Sequence, residues 1–296
     1  MRVLLLCVLA LLAACHSLPP LPAWQSPQGR QHADQGVILD LRSGERLTSA
    51  QLVARLAPAP RLLIGEQHDN PDHHALQLWL LQALARERQP GALLLEMLNP
   101  DQQVRVDAVR AQVRRGAWPA DLPAALAWQK GWDWAMYGAL LRHAVAQPEP
   151  LLAANLDRDE IGHIYRAPLS LAGTASTAPS VQEALRAQIR EAHCRLLPEE
   201  QLPAMLAVQQ QRDRRMAERL LAAPLPAVLL AGGYHVRRDL GVPLHLSDLE
   251  ANAGLLVLQL AEVGQAVSSA QADFVWYTPA QPEQDHCAGL RQGKTR

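Results

Sequence analysis

The sequence predicts an α/β fold: a mainly parallel sheet flanked by helices, with a smaller all-helical subdomain. Three observations carry that prediction. Short apolar runs alternate with helical stretches along most of the chain, which is the pattern of strand–helix–strand units. The runs are apolar at nearly every position rather than at alternate ones, as strands are when helices cover both faces of a parallel sheet. Polar residues cluster directly after several of these runs. In a parallel sheet such clusters share one edge, where open α/β folds bind ligands.

Taken in order, residues 18–35 are rich in Pro, Gln and Ser with no apolar period, so residues 15–36 read as a tether. Residues 37–41 with Ser43-Gly44 predict a short strand and turn, and 48–56 the first helix. Apolar strands are predicted at 62–64, 92–95, 151–154, 227–231, 255–260 and 274–277. The stretch 61–74, RLLIGEQHDNPDHH, organises the rest. Its strand runs into Gly65, Glu66, Gln67 and His68, and Asn70-Pro71 supplies a helix N-cap and first helical position. The later strand exits carry Glu96, then Asn155, Asp157 and Arg158, then Gly232, Gly233, Tyr234 and His235.

The intervals of about 99–150 and 157–226 are too long for simple crossovers and are expected to form the helical subdomain over the ligand edge. The first predicts helices at 102–115 and 133–146. The second predicts a short helix at 159–165, a Ser/Thr/Ala/Pro loop at 170–179 and a helix opened by Ser180 with Glu183 as a capping box. A polar helix at 199–222 reads as solvated.

The chain opens MRVLLLCVLALLAAC, a single Arg followed by an apolar run too short to span a bilayer. Residues 1–14 therefore read as a signal peptide. Leu12-Ala13-Ala14-Cys15 resembles a lipoprotein processing site, which makes Cys15 the acylated, palmitate-bearing residue. No Asp follows Cys15, so the expected location is the outer membrane of a Gram-negative cell, with residues 37–296 as the folded domain. A formal net charge of −1 gives no basic footprint for nucleic acid. With Cys7 removed and Cys15 lipidated, Cys194 and Cys287 remain and are expected to form a disulfide in an oxidising compartment.

Glu66, His68, Glu96 and His235 are of the types that bind a divalent metal, act as general base or clamp a ligand. The plainer reading pairs the glutamates with Arg158 or Arg237 as structural ions. His73 and His74, in the first turn of a helix, read as surface residues. Tyr137 lies on an apolar helical stripe with Trp134, Leu140, Leu141 and Ala144, as a core tyrosine does. With Trp128, Trp132 and Lys130 nearby, the same phenol suits a flat apolar ligand with acidic arms, since tyrosine ligates haem iron and lysine or histidine can hold propionates.

Ordered motifs sharpen this reading: Gly65-Glu66-Gln67-His68-Asp69-Asn70, Leu94-Leu95-Glu96-Met97, Trp132 to Gly138, Ala154-Asn155-Leu156-Asp157-Arg158, and Ala231 to Pro243. They resemble the ChaN family of haem-binding uptake lipoproteins, related to the Tiki and erythromycin-esterase-like proteins. The resemblance runs from about residue 61 to the Val275–Pro279 segment. It implies haem as cofactor, held between two protomers so that haem binding makes a homodimer, and an outer-membrane haem receptor as a further partner in haem uptake. It also implies a tyrosine on iron, mapped to Tyr137, and propionate contacts from Lys130 and from His68 or His235. Glu66, Glu96 and Arg158 then border the haem pocket, and Tyr165 and Tyr234 stand next in line as ligands.

The same strand ends are similar to those of relatives that hydrolyse esters or peptides. The rival reading is a metal-dependent hydrolase in which Glu66 or His68 activates water and His235 and Arg158 hold developing charge. No GxSxG elbow supports acyl-enzyme chemistry. A lipoprotein that serves only as a structural partner of a receptor leaves the polar cluster unexplained.

Overall fold

In the computed structural model, which describes residues 18–168, 170–285 and 287–288, every predicted apolar run becomes a strand. A hairpin of β1 (Ile38–Asp40) and β2 (Arg46–Leu47) leads to α1 (Ser49–Leu56), β3 (Arg61–Glu66), α2 (Pro71–Glu87) and β4 (Ala92–Leu95). Then come α3 (Gln103–Arg114), α4 (Leu122–Ala125), α5 (Trp134–Ala146) and β5 (Leu151–Ala153). A second helical run holds α6 (Arg158–Arg166), α7 (Pro179–Ala192) and α8 (Leu202–Ala222). The chain closes with β6 (Ala227–Gly232), α9 (Gly233–Val236), α10 (Val242–Asp248), β7 (Leu255–Glu262) and β8 (Phe274–Thr278). The sheet order is β2-β1-β8-β7-β3-β6-β4-β5. From β8 to β5 all neighbours are parallel, and β1 runs antiparallel to both β2 and β8.

Strand alternation sorts the core into two layers. Leu62, Ile64, Leu93, Leu95, Val228, Leu230, Leu258 and Leu260 pack with apolar residues of α1, α2, α3 and α5. Leu63, Leu94, Leu229, Ala231, Leu255 and Val257 face the other way, onto Met216, Ala217 and Leu220 of α8 and Val242 and Leu246 of α10. Each fully buried Leu or Ile contributes about 1.5–3 kcal/mol, so both faces must be covered. That is why the strands are apolar throughout.

The two long intervals divide differently from the expectation. The helices of 99–150 join the main core through Val106, Val109, Leu140 and Leu141. Those of 157–226 make the smaller helical unit, with clusters of their own: Leu185, Ile189, Leu202 and Leu206 with Leu240, and Ile164 with Leu156, Ala207 and Val208. Helix α8 is not the solvated helix expected. Leu206, Gln210, Asp213, Ala217 and Leu220 are all buried, at the three- and four-residue spacing of a helix stripe. Helix α7 starts at Pro179, with no side-chain cap at Ala178 and Ser180 already inside it, because proline suits the first helical position. The predicted capping box therefore does not form.

The open edge of β5 is closed by side chains rather than by another strand. Gln103 Nε2 donates to Leu151 O (3.0 Å), Ala153 N donates to Gln103 Oε1 (2.7 Å), and Arg219 Nε donates to Ala153 O (3.0 Å). Bare strand edges invite pairing with other chains, and these contacts remove that opportunity.

Residues 18–36 were expected to be a tether, and the structure corrects this: they lie along the domain. Trp79 Nε1 donates to Pro19 O (2.8 Å), Asp72 accepts from the amides of Gln25 and Ser26, and Gln28 bridges to Ala280. The predicted signal peptide and Cys15 fall outside the described residues. Cys194 and Cys287 are joined in a disulfide, with Cα atoms 5.7 Å apart. Among the described residues no helix is long and apolar enough to cross a membrane.

Candidate functional site

The parallel register brings Glu66, at the end of β3, opposite Gly232, at the end of β6. The corner after β3 is fixed by its own sequence. Asn70 Oδ1 accepts from Asp72 N at the start of α2 (2.9 Å), a cap that stabilises a helix by about 1 kcal/mol. Asn70 Nδ2 donates to Glu262 Oε1 at the end of β7 (2.8 Å). The corner is thus tied both to the following helix and to a neighbouring strand, and His68 projects from a held backbone.

Glu66 is buried and accepts on Oε1 from the Tyr137 hydroxyl (3.0 Å), while His68 Nδ1 lies 2.5 Å from the same oxygen. Its Oε2 has no hydrogen-bond partner. The His68 side chain is 43% exposed and meets Trp132 edge to face at 4.8 Å. Partial burial disfavours its cation, but the hydrogen bond and charge of Glu66, with the charge of Glu96, outweigh this and raise its pKa above the ordinary imidazole range.

The second carboxylate is held at both of its oxygens. Glu96 Oε2 accepts from Gly232 N (2.7 Å), and Glu96 Oε1 lies 3.3 Å from His235 Nε2. On the other side of that ring, His235 Nδ1 lies 2.5 Å from Asp213 Oδ1 of α8. Burial alone would strip the proton from His235, yet the two carboxylates push its pKa up to about 10. Glu96 is correspondingly held well below the usual carboxylate range: burial would raise it, and the His235 charge and hydrogen bond overcome that.

These groups border a cleft of about 700 Å³ between the ends of β3, β6 and β7 and the wall formed by α7 and α8. Its lining mixes amides with charge: Gln67, Gln188, Gln209, Gln259 and Gln265, with His68, His235 and Arg237. Tyr234, between Gly233 and His235, is 59% exposed and also borders it. Among the described residues no three His, Cys, Asp or Glu side chains converge as metal ligands do. The reason is visible in the pairing: Glu96 and Asp213 are committed to His235, and Glu66 to His68 and Tyr137.

The model of the haem-binding uptake family ChaN, of the Tiki superfamily, matches residues 52–246. The chain belongs to the ChaN family. Among solved structures it is similar to ChaN of Campylobacter jejuni, described as binding haem cofacially, at 30% identity over 81% of this chain and 95% of that one, with a TM-score of 0.75. Much further off are the erythromycin esterase EreC in its open conformation (14% identity, 84% of this chain and 83% of that one, TM-score 0.43) and the toxin effector domain RRSP of Vibrio vulnificus (17% identity, 84% and 41%, TM-score 0.46). A search of the curated proteins finds no match.

Within this ChaN fold the expected site residues part company. Glu66, His68, Glu96 and His235 come together as the shared sheet edge required. Arg158 is exposed at the start of α6, and neither it nor Lys130, exposed in the turn before Trp132, is among the cleft-lining residues. Arg237, the other proposed structural partner of the glutamates, pairs instead with Asp239 (2.6 Å).

Tyr137 is only 1% exposed, with its ring against His74 (centroids 4.3 Å apart) and between Trp128 and Trp132. Burial, then the charge and hydrogen bond of Glu66, push its pKa well above the phenol range, so it stays protonated. Its hydroxyl donates to Glu66, and Tyr137 is not among the cleft-lining residues.

His73 and His74 were expected at the surface and are buried. His73 Nδ1 accepts from Gln67 N (2.8 Å) and its Nε2 lies 2.9 Å from Thr278 Oγ1, while His74 Nε2 lies 3.0 Å from His68 O. Asp213 escaped sequence reading because it sits in the polar run QQQRDRR. The available signal was its position on the stripe with Leu206, Ala217 and Leu220.

Proposed function

We propose that this chain is an outer-membrane lipoprotein, acylated at Cys15, that captures haem at the mouth of the cleft for uptake, with Tyr234 rather than Tyr137 on the iron. The observation that carries the assignment is the exposed Tyr234 phenol at the cleft mouth, set against a Tyr137 hydroxyl locked onto Glu66. The residues around Tyr234 suit the ligand. His68 and Arg237 line the same cleft and offer N–H donors to acidic arms. Membership in a haem-binding uptake family supports the choice of ligand. When bound, haem supplies a ferric centre that an anionic oxygen ligand stabilises. The chain's own part is to hold the phenol outward, bind the acidic arms and keep Glu66 hydrogen-bonded by His68 and the Tyr137 hydroxyl.

A mouth-bound haem leaves one flat face uncovered, and pairing two loaded chains buries both such faces. The relative described as binding haem cofacially supports this haem-linked homodimer. A receptor in the same membrane is the expected recipient.

The test is a Soret titration of the domain with haem, saturating at about one haem per chain, together with Tyr234→Phe and Tyr137→Phe. Tyr234→Phe should abolish the tyrosinate spectrum and Tyr137→Phe should leave it in place. The reverse pattern returns the ligand to Tyr137. Sedimentation should show a monomer without haem and a dimer with it.

One observation favours hydrolysis as a second reading. Glu66 orients His68 through Nδ1, which leaves Nε2 in the cleft beside Gly232, where an added Cβ would approach it to 2.9 Å. That is the arrangement of a general base. Ester turnover lost in Glu66→Gln with haem affinity unchanged would establish it.

A further inference from the structure

We propose that Asp213 is a positioning residue for the Tyr234 phenol, acting through His235. The claim rests on the reading of Tyr234 as iron ligand, and it names what holds that ligand in place.

Asp213 is fully buried on the α8 stripe, where its neighbours along the helix are Met216, Ala217 and Leu220. Its Oδ1 grips His235 Nδ1, while its Oδ2 has no hydrogen-bond partner. A buried carboxylate with one orphaned oxygen costs stability that an apolar side chain of similar size would not. Packing of α8 against the sheet therefore does not account for it. The contact it makes does.

That contact completes a chain from α8 to the sheet edge. Asp213 holds one nitrogen of His235, Glu96 holds the other, and Glu96 also takes the N–H of Gly232. Residues 232 and 235 are thus pinned on both sides of Tyr234. The glycines leave little freedom for the turn to shift: a Cβ on Gly233 would come within 2.2 Å of Gln259 Nε2, and one on Gly241 within 2.0 Å of His235 O. Helix α9 has only the four residues Gly233–Val236 and no side-chain cap. A single turn does not sustain itself. The carboxylate–imidazole–carboxylate clamp therefore fixes the turn, and the turn projects Tyr234 out over the cleft. Asp213 is the member of the clamp that comes from the helical unit, so it also ties the α8 wall of the cleft to the phenol.

The experiment compares Asp213→Asn, which is isosteric, and Asp213→Glu, which keeps the charge, with Tyr234→Phe in the full mature chain. Hydrogen bonds to charged groups contribute more than neutral ones, and losing this one should weaken haem binding roughly tenfold and mix the ferric spectrum. Asp213→Glu should restore part of both. In the haem-free chain, a low-field proton NMR signal from His235 Nδ1–H should vanish in Asp213→Asn, and a fluorotyrosine at position 234 should gain mobility.

If Tyr234→Phe loses the tyrosinate spectrum while Asp213→Asn keeps wild-type affinity, spectrum and Tyr234 mobility, the positioning role is overturned and the ligand assignment stands. If Tyr234→Phe is silent, the ligand assignment fails. The positioning claim is then decided by Tyr234 mobility alone, and an unchanged value in Asp213→Asn overturns it. Should Asp213→Asn fail to fold, Asp213→Leu removes the carboxylate and fills its buried site with an apolar side chain of similar size, and an unmoved Tyr234 signal in that variant counts against the clamp.

Discussion

Two carboxylate–imidazole pairs stand side by side at the sheet edge and have opposite fates. Glu66 with His68 and Glu96 with His235 both combine a buried glutamate with a histidine. They differ in the third contact. His235 is 9% exposed and has a carboxylate at each nitrogen, so its proton is trapped. His68 has a carboxylate at Nδ1 only and keeps a wet, free edge toward the cleft. The same two residue types make a clamp where a second acid and a helix close over them, and leave an imidazole open to the cleft where neither does. Residue type places the pairs; what covers them decides which can act.

The largest expected effect comes from opening the sealed pair. Glu96→Ala leaves the His235 imidazolium with one carboxylate and takes the acceptor from the Gly232 amide. Removing one partner of a buried ion pair costs about 3–5 kcal/mol, and chemical denaturation should show a loss of that order. A loss below about 1 kcal/mol would mean that His235 is neutral in the folded chain and that the two pairs are alike.

The pH dependence of stability separates the pairs without mutation. The folded pKa of His235, about 10, lies above the ordinary value near 6.5. The folded state therefore binds more protons across that window. The stabilisation is complete below pH 6.5 and is lost as pH rises toward 10, with a slope of up to about 1.4 kcal/mol per pH unit. Urea midpoints between pH 7 and 10 should fall in the wild type and flatten in Asp213→Asn. His68 is raised as well, but its exposure and the solvent around it limit its share.

The sheet was readable in the sequence because strands covered on both faces, such as Leu62–Leu63–Ile64, have no polar positions to blur them. Asn70-Pro71 announced α2 for a reason as local as the motif itself. What escaped depended on contacts distant in sequence. Tyr137, with aromatic neighbours along the chain, looked like a ligand wall; its apolar stripe meant burial, and Glu66 from β3 took its hydroxyl. His73 and His74 sit in a first helical turn that is commonly wet, yet Thr278 of β8 meets the first and Tyr137 of α5 covers the second. Residues 18–36 lack any apolar period, and contacts distant in sequence, with α2 and with Ala280 after β8, give them a place to lie. Asp213 could have been found as a charge on a buried stripe, but its partner His235 is distant in sequence and no local pattern joins them.

The smallest effect is expected at the open pair, and it completes the contrast. His68→Gln keeps an amide donor for Glu66 and removes the imidazole. Glu66 still accepts from the Tyr137 hydroxyl at 3.0 Å, so no buried carboxylate is stranded. The lost pair is largely solvated on the histidine side, and exposed ion pairs contribute about 0–1 kcal/mol. Denaturation should therefore shift by less than about 1 kcal/mol. Binding at the cleft should respond more strongly, because the group removed is the one whose free nitrogen faces the cleft. If His68→Gln instead unfolds as readily as Glu96→Ala, the open pair is a clamp too, and the distinction drawn from exposure fails. If stability and binding both stay at wild-type values, His68 plays no part at the cleft, and the working group must be sought at Tyr234 and Arg237 alone.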